Sequence, residues 1–194
     1  MIRWHDWSEG CDCVVRRRLY MALTTERKKE ISAQVDKILN DFGYNPEVDT
    51  YVDSVRLANS LKFSVGEAKG LKENEDGFII MYNGSRLIGV NIKRSVEDKR
   101  FTTAHELGHY VLHGKQLEEN MMMREHVDAK TGNQEEDEAD FFAACALMPE
   151  QSFKREAERL RTSKVNENDI IAVLRILFKV PEESIRRRLQ EVGI

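Results

Sequence analysis

Arg100-Phe101-Thr102-Thr103-Ala104-His105-Glu106-Leu107-Gly108-His109-Tyr110 is the stretch on which the reading of this 194-residue chain turns. On a helix, residues four apart lie one turn above each other, so His105 and His109 aim two imidazoles at one point. Two neutral imidazoles suit Zn²⁺. Glu106 sits about 100° round the helix from His105, at the edge of that face. From there it is placed to take a proton from water that zinc acidifies, the work of a general base in a hydrolase. Phe101, Thr102 and Leu112 fall near the same face, so the helix buries the site. Gly108 removes a side chain there and admits another element at close range.

A pair of histidines at this spacing recurs in unrelated proteins, so the reading needs a third ligand. His113 continues the series on the same rigid helix but is rotated about 80° from His105, and three ligands from one straight helix rarely converge. A metzincin would need Gly at 112 and His at 115, where this chain has Leu112 and Lys115. The remaining source is Glu135-Glu136-Asp137-Glu138-Ala139-Asp140-Phe141-Phe142-Ala143. At about 100° per residue, Glu136, Ala139, Asp140, Ala143 and Leu147 share one stripe. Glu136 is therefore the carboxylate on a face otherwise small and apolar. Asp140, one turn on, is placed to accept a hydrogen bond from the far nitrogen of a ligating histidine and so orient its ring. Glu135, Asp137 and Glu138 read as a solvated acidic helix start, favoured by the dipole.

The rest of the chain bounds the setting. Hydrophobic residues make up 41% and charged residues 33%, as in a globular protein. The net charge of −4 supplies no global field toward nucleic acid. Three cysteines cannot pair completely, and no apolar run approaches the roughly 18 residues of a membrane span. Residues 1–20 lack a signal-peptide core, so the expected location is the cytoplasm.

Three segments are expected. Residues 1–20 form an irregular leader, either a flexible arm or an extension upstream of a start at Met21; its His5, Cys11 and Cys13 make only a weak metal pattern. Residues 21–160 form the metallopeptidase domain. Within it helices are expected from Thr25 to Gly43 and from about Thr50 to Ser60, and a strand over 61–66. Asn83-Gly84 marks a hairpin between Gly77–Tyr82 and Arg86–Ile92. A loop is expected at about 115–133. Residues 161–194 form a helical cap with helix-turn-helix character around Val180-Pro181. The fold class is α+β: a mainly helical, zincin-like body with a small antiparallel sheet beside the active helix. An open hairpin edge is the expected docking rail for an extended peptide. Met121-Met122-Met123 is a candidate gating loop, and Tyr110 and His126 are candidate oxyanion partners, Tyr110 reading better as a packing residue.

These residues resemble the ImmA/IrrE metallo-endopeptidases. The resemblance rests on Arg-Phe-Thr-x-Ala-His-Glu-Leu-Gly-His at 100–109 with Leu112-His113, and on Glu136-x-x-Ala139-Asp140-x-Phe142-Ala143 leading to Leu147-Met148-Pro149. Ile88-Gly89-Val90-Asn91 also fits. The family often carries Asn where this chain has Asp140 and Leu where it has Ala146. The match covers roughly residues 25–160. It implies one zinc ion held by His105, His109 and Glu136, Glu106 as catalytic base, and a gluzincin-like fold. It further implies a helix-turn-helix repressor as protein substrate, cleaved to switch on stress-response, prophage or mobile-element genes.

A rival from another class is a DNA- or protein-binding regulator, toxin–antitoxin-like, with a structural metal. Across 164–194 there are six Lys/Arg (Lys164, Arg175, Lys179, Arg186, Arg187, Arg188) against five Asp/Glu (Glu167, Asp169, Glu182, Glu183, Glu191), a net of +1. That is weak for phosphate contact. No gel shift is expected with duplex DNA at low salt; a shift that disappears as salt is raised would establish the rival.

Overall fold

The computed structural model describes residues 23–119, 124–125, 134–163 and 165–194, with 115–119 and 124–125 as backbone only. The leader, Met121-Met122-Met123 and His126 lie outside the described residues. In chain order these form α1 (Thr25–Phe42), α2 (Ser54–Ser60), β1 (Ser64–Ala68), β2 (Gly77–Tyr82), β3 (Ser85–Asn91), α3 (Val96–Glu119), β4 (Arg124–Glu125), α4 (Gln134–Leu147), α5 (Glu150–Thr162), α6 (Glu167–Phe178) and α7 (Glu182–Glu191). It is the α+β architecture expected, mainly helical with a small sheet beside the metal-motif helix α3.

Local chemistry sets the boundaries. Thr24 caps α1 by accepting from the Arg27 N–H, and Gly43 ends it at φ 87°. The second helix starts later than its apolar pattern suggests, because the Asp53 carboxylate accepts from the N–H groups of Val55 and Arg56 and fixes the N-cap there. Lys62 then adopts φ 68°, so the following strand begins at Ser64 rather than at Leu61. Ser95 Oγ accepts from the Asp98 N–H and opens α3, which runs on to Glu119, into the segment read as loop.

The sheet order is β1-β3-β2-β4. Asn83 and Gly84 both take positive φ, 46° and 76°, in the expected hairpin turn. The sheet is mixed rather than wholly antiparallel, since β1 runs parallel to β3. The short arch 69–76 makes that crossover, and Asn91 holds it by donating from Nδ2 to the carbonyls of Lys72 (3.0 Å) and Glu75 (2.7 Å). The hairpin edge expected to receive a peptide is already engaged: Phe78 and Ile79 pair with Glu125 and Arg124. At Gly89 the Phe78 ring from the opposite strand covers the missing side chain.

The C-terminal helices share one core with the rest. Ile170, Ile171, Leu174, Phe178, Val180, Ile185 and Leu189 are all buried within it. Two buried arginines bolt these helices down. Arg100, at the start of the metal motif, donates to the carbonyls of Lys179 (3.0 Å) and Val52 (2.8 Å) and stacks over Tyr51. Arg188 donates to the Met148 carbonyl (3.0 Å) just beyond α4 and pairs with Glu191 at 2.8 Å. The arginine run is thereby spent on structure, for Arg186 and Arg187 also pair with Glu182 and Glu183 along α7.

At about 1.5–3 kcal/mol for each large apolar side chain, this burial amounts to an upper estimate on the order of 10–20 kcal/mol. That matches or exceeds the net stability of a typical domain, about 5–15 kcal/mol. A chain cut after Leu160 is expected to lose cooperative unfolding and to bind hydrophobic dyes, as read by circular dichroism and dye fluorescence. A truncated chain melting as the full one does would show that residues 1–160 fold alone.

Candidate metal centre

At Gly108, α3 and α4 approach more closely than most side-chain-bearing positions allow. A Cβ at Gly108 would stand 3.0 Å from both the Cα and the carbonyl oxygen of Ala139. This contact brings the two motif blocks together. His105 and His109 turn from α3 toward Glu136 on the first turn of α4, where the helix dipole favours a carboxylate.

His105 Nε2 lies 3.4 Å from Glu136 Oε2, and His109 Nε2 lies 3.4 Å from Glu136 Oε1. The two Nε2 atoms are 3.0 Å apart. Both histidines are buried, while the Glu136 side chain keeps 13% exposure, so the cluster meets solvent on the carboxylate side.

Asp140 Oδ1 is 2.7 Å from His105 Nδ1. A carboxylate accepts, so Nδ1 carries the proton and Nε2 turns its lone pair inward. Two ring nitrogens this close then need a proton or a cation between them. A tetrahedral ion with bonds of about 2.0–2.1 Å holds its ligand atoms about 3.3–3.4 Å apart. Each histidine nitrogen stands at that distance from one of the two carboxylate oxygens, and two imidazoles with one carboxylate are a donor set that suits zinc. Among the described residues this trio is the cluster able to hold a metal ion.

Glu106 is fully buried, beneath the start of β2. A Cβ at Gly77 would stand 3.6 Å from Glu106 Oε1 and 2.5 Å from Thr102 Cγ2, so glycine lets the strand settle onto the helix here. Tyr110 faces away and packs edge-on against Phe63, ring centroids 4.9 Å apart, as a packing residue does. His113 stays out of the cluster and contacts Glu138 at 3.1 Å.

Two acidic neighbours depart from their sequence reading. Asp137 and Glu138 are buried, not solvated. For Glu138 the reason is a partner from far away in the chain: Arg27 of α1 meets its Oε2 at 2.6 Å. Nothing local to the acidic run announces that contact. Behind Asp140 a cleft of about 450 Å³ opens between the 69–76 arch and the start of α7, lined by Thr102, Asn91, Arg94, Ser184 and Arg187.

Comparison with known proteins follows the same lines. The family description "IrrE N-terminal-like domain" (Peptidase_M78) matches residues 58–190. The chain belongs to this peptidase family. The match takes in α3 and α4 and also the C-terminal helices, beyond the residue 160 at which the sequence resemblance was drawn. Among solved structures the fold is similar to a Mycobacterium tuberculosis transcriptional regulator, with 18% identity and a TM-score of 0.58 over 85% of this chain. The alignment takes in 48% of that protein, so this chain spans about half its length. No curated protein matches. Among the described residues no helix is long and apolar enough to cross a membrane.

The helix contact at Gly108 is open to test. Gly108→Ala pushes a methyl into α4 backbone, an overpacking cost of about 1–3 kcal/mol, offset in part by about 1 kcal/mol of helix propensity. Because α4 carries Glu136, zinc affinity measured by chelator competition is expected to fall even where the melting temperature moves little. Unchanged affinity would show that the helices have slack.

Proposed function

We propose that the protein is a zinc-dependent endopeptidase acting in the cytoplasm on a partner protein. The observation that carries the reading is the buried triangle of His105, His109 and Glu136, with the Glu106 carboxylate on the same helix. Family membership supports peptide hydrolysis as the chemistry. Zinc held by these three residues would act as a Lewis acid and bring a water toward ionisation near neutral pH.

The chain's own groups then have separable tasks. Glu106 accepts the proton of the attacking water and passes it to the leaving amine. Its burial keeps it from bulk solvent, so the proton moves within the site. Asp140 keeps His105 in the Nδ1–H form and fixes its ring plane. Glu136, partly exposed, stands on the side from which a substrate enters.

The substrate we propose is a helix-turn-helix repressor whose cleavage derepresses stress-response or mobile-element genes. The resemblance of the two motif blocks to repressor-cleaving relatives supports this choice. Within the run Arg186-Arg187-Arg188, which the DNA-binding rival would use, Arg188 is buried and Arg186 and Arg187 pair along their helix.

Glu106→Gln is the decisive variant. It keeps the shape and the three other side chains, so zinc content should match that of the parent. Cleavage of a repressor encoded beside this gene should fall on the order of 100- to 10,000-fold. Parent-like cleavage by the zinc-loaded variant would sink the proposed base.

A further inference from the structure

One group of buried charges next to the metal centre has no part in the chemistry above. Glu138 is 4% exposed and joins three helices. Its Oε2 meets Arg27 of α1 at 2.6 Å and His113 of α3 at 3.1 Å, and its Oε1 accepts from Gln134 of α4 at 2.9 Å. Burial works to raise this carboxyl, but the hydrogen bonds from Arg27, Gln134 and His113 outweigh it and hold it at about 2. It is a fixed anion at neutral pH.

The location is what matters. Glu138 lies two residues after Glu136, so it leaves α4 on nearly the opposite side of the helix. His113 lies one turn after His109, and the two rings are neighbours, tilted by 49° with centroids 5.6 Å apart. The carboxylate therefore holds α4 from the flank away from the metal cluster, while its other partner forms a wall of the His109 ring. Among the described residues, its link to α1 is the contact that reaches outside the two motif helices.

From this geometry we infer that Glu138, anchored by Arg27, is a positioning residue for the metal centre: it sets the rotation of α4 that delivers Glu136 and, through His113, the ring of His109. The inference rests on the reading of His105, His109 and Glu136 as ligands. Gly108 fixes how closely α3 and α4 approach. Farther along α4 the buried Phe141, Phe142 and Leu147 limit rotation of the helix, and at its first turns, where Glu136 sits, the Glu138 contacts hold it. A turn of α4 by a few tens of degrees would carry the Glu136 carboxylate away from the two Nε2 atoms.

The test uses the full chain with Glu138→Gln, Arg27→Gln and the double variant, which removes both charges together and so avoids stranding one in the interior. Arg27→Lys serves as the conservative variant and Glu136→Gln as control. Zinc affinity is measured by chelator competition on folded protein, and the visible spectrum of the cobalt-substituted forms reports ligand geometry. Zinc binding should weaken on the order of 10- to 100-fold in the three Gln variants of the pair. Their cobalt spectra should shift, with partial recovery in Arg27→Lys.

Parent affinity and an unaltered cobalt spectrum in the double variant, whatever its melting temperature, would overturn the positioning role. In that case loss of zinc in Glu136→Gln would leave the metal reading intact. Full zinc binding by Glu136→Gln would instead overturn the ligand assignment, and the positioning role with it.

Discussion

Two helices carry His105, His109 and Glu136, the candidate metal ligands, with Glu106 beside them, and the closeness of those helices depends on one missing side chain. At Gly108 the backbone of α3 comes so near to Ala139 that a methyl group would touch the Cα and carbonyl oxygen of α4. The Glu136 carboxylate stands 3.4 Å from each histidine nitrogen at that separation, and the Asp140 carboxylate reaches the back of His105. The packing of the two helices is what brings these side chains together. The sheet repeats the device on the other flank of α3, where Gly77 lets β2 rest directly on Thr102 and over Glu106.

The groups around the site divide by task. Asp140 orients a ring, Gly108 and Gly77 set distances, and Arg100 and Arg188 attach the C-terminal helices. Arg100 donates to the Lys179 carbonyl at the end of α6 and Arg188 to the Met148 carbonyl just beyond α4, where such oxygens lack helical partners and partial negative charge gathers. For Arg100, burial lowers the guanidinium pKa, with the charges of Tyr51, Asp53 and Glu97 opposing that shift. Both sites are costly to bury and depend on full hydrogen bonding.

Much of this was legible from residue order. A 3.6-residue period is enough to bring His105 and His109 onto one face and to select Glu136 and Asp140 from an acidic run. Asn83-Gly84 declared its turn. What escaped depends on contacts distant in sequence. The Arg27–Glu138 pair spans 111 residues, so Glu138 read as a solvated charge although it is buried. Arg188, counted in the sequence only as one of the charges weighed for phosphate contact, is buried in the core. The parallel pairing of β1 depends on a short arch held by the Asn91 side chain, and the partner of β2 comes from a two-residue strand with no period to read.

The two arginine anchors also bear on the order of events during synthesis. Single domains generally fold as units, so a core is completed only when its last contributing segment is available. Here the motif helices leave the ribosome early, yet the core in which they sit draws on Phe178, Val180, Ile185 and Leu189, which arrive later. Arg100 has no Lys179 carbonyl to hold, and the end of α4 has no Arg188, until those residues are made. A nascent chain therefore carries both motif blocks before the residues that clamp them have been made.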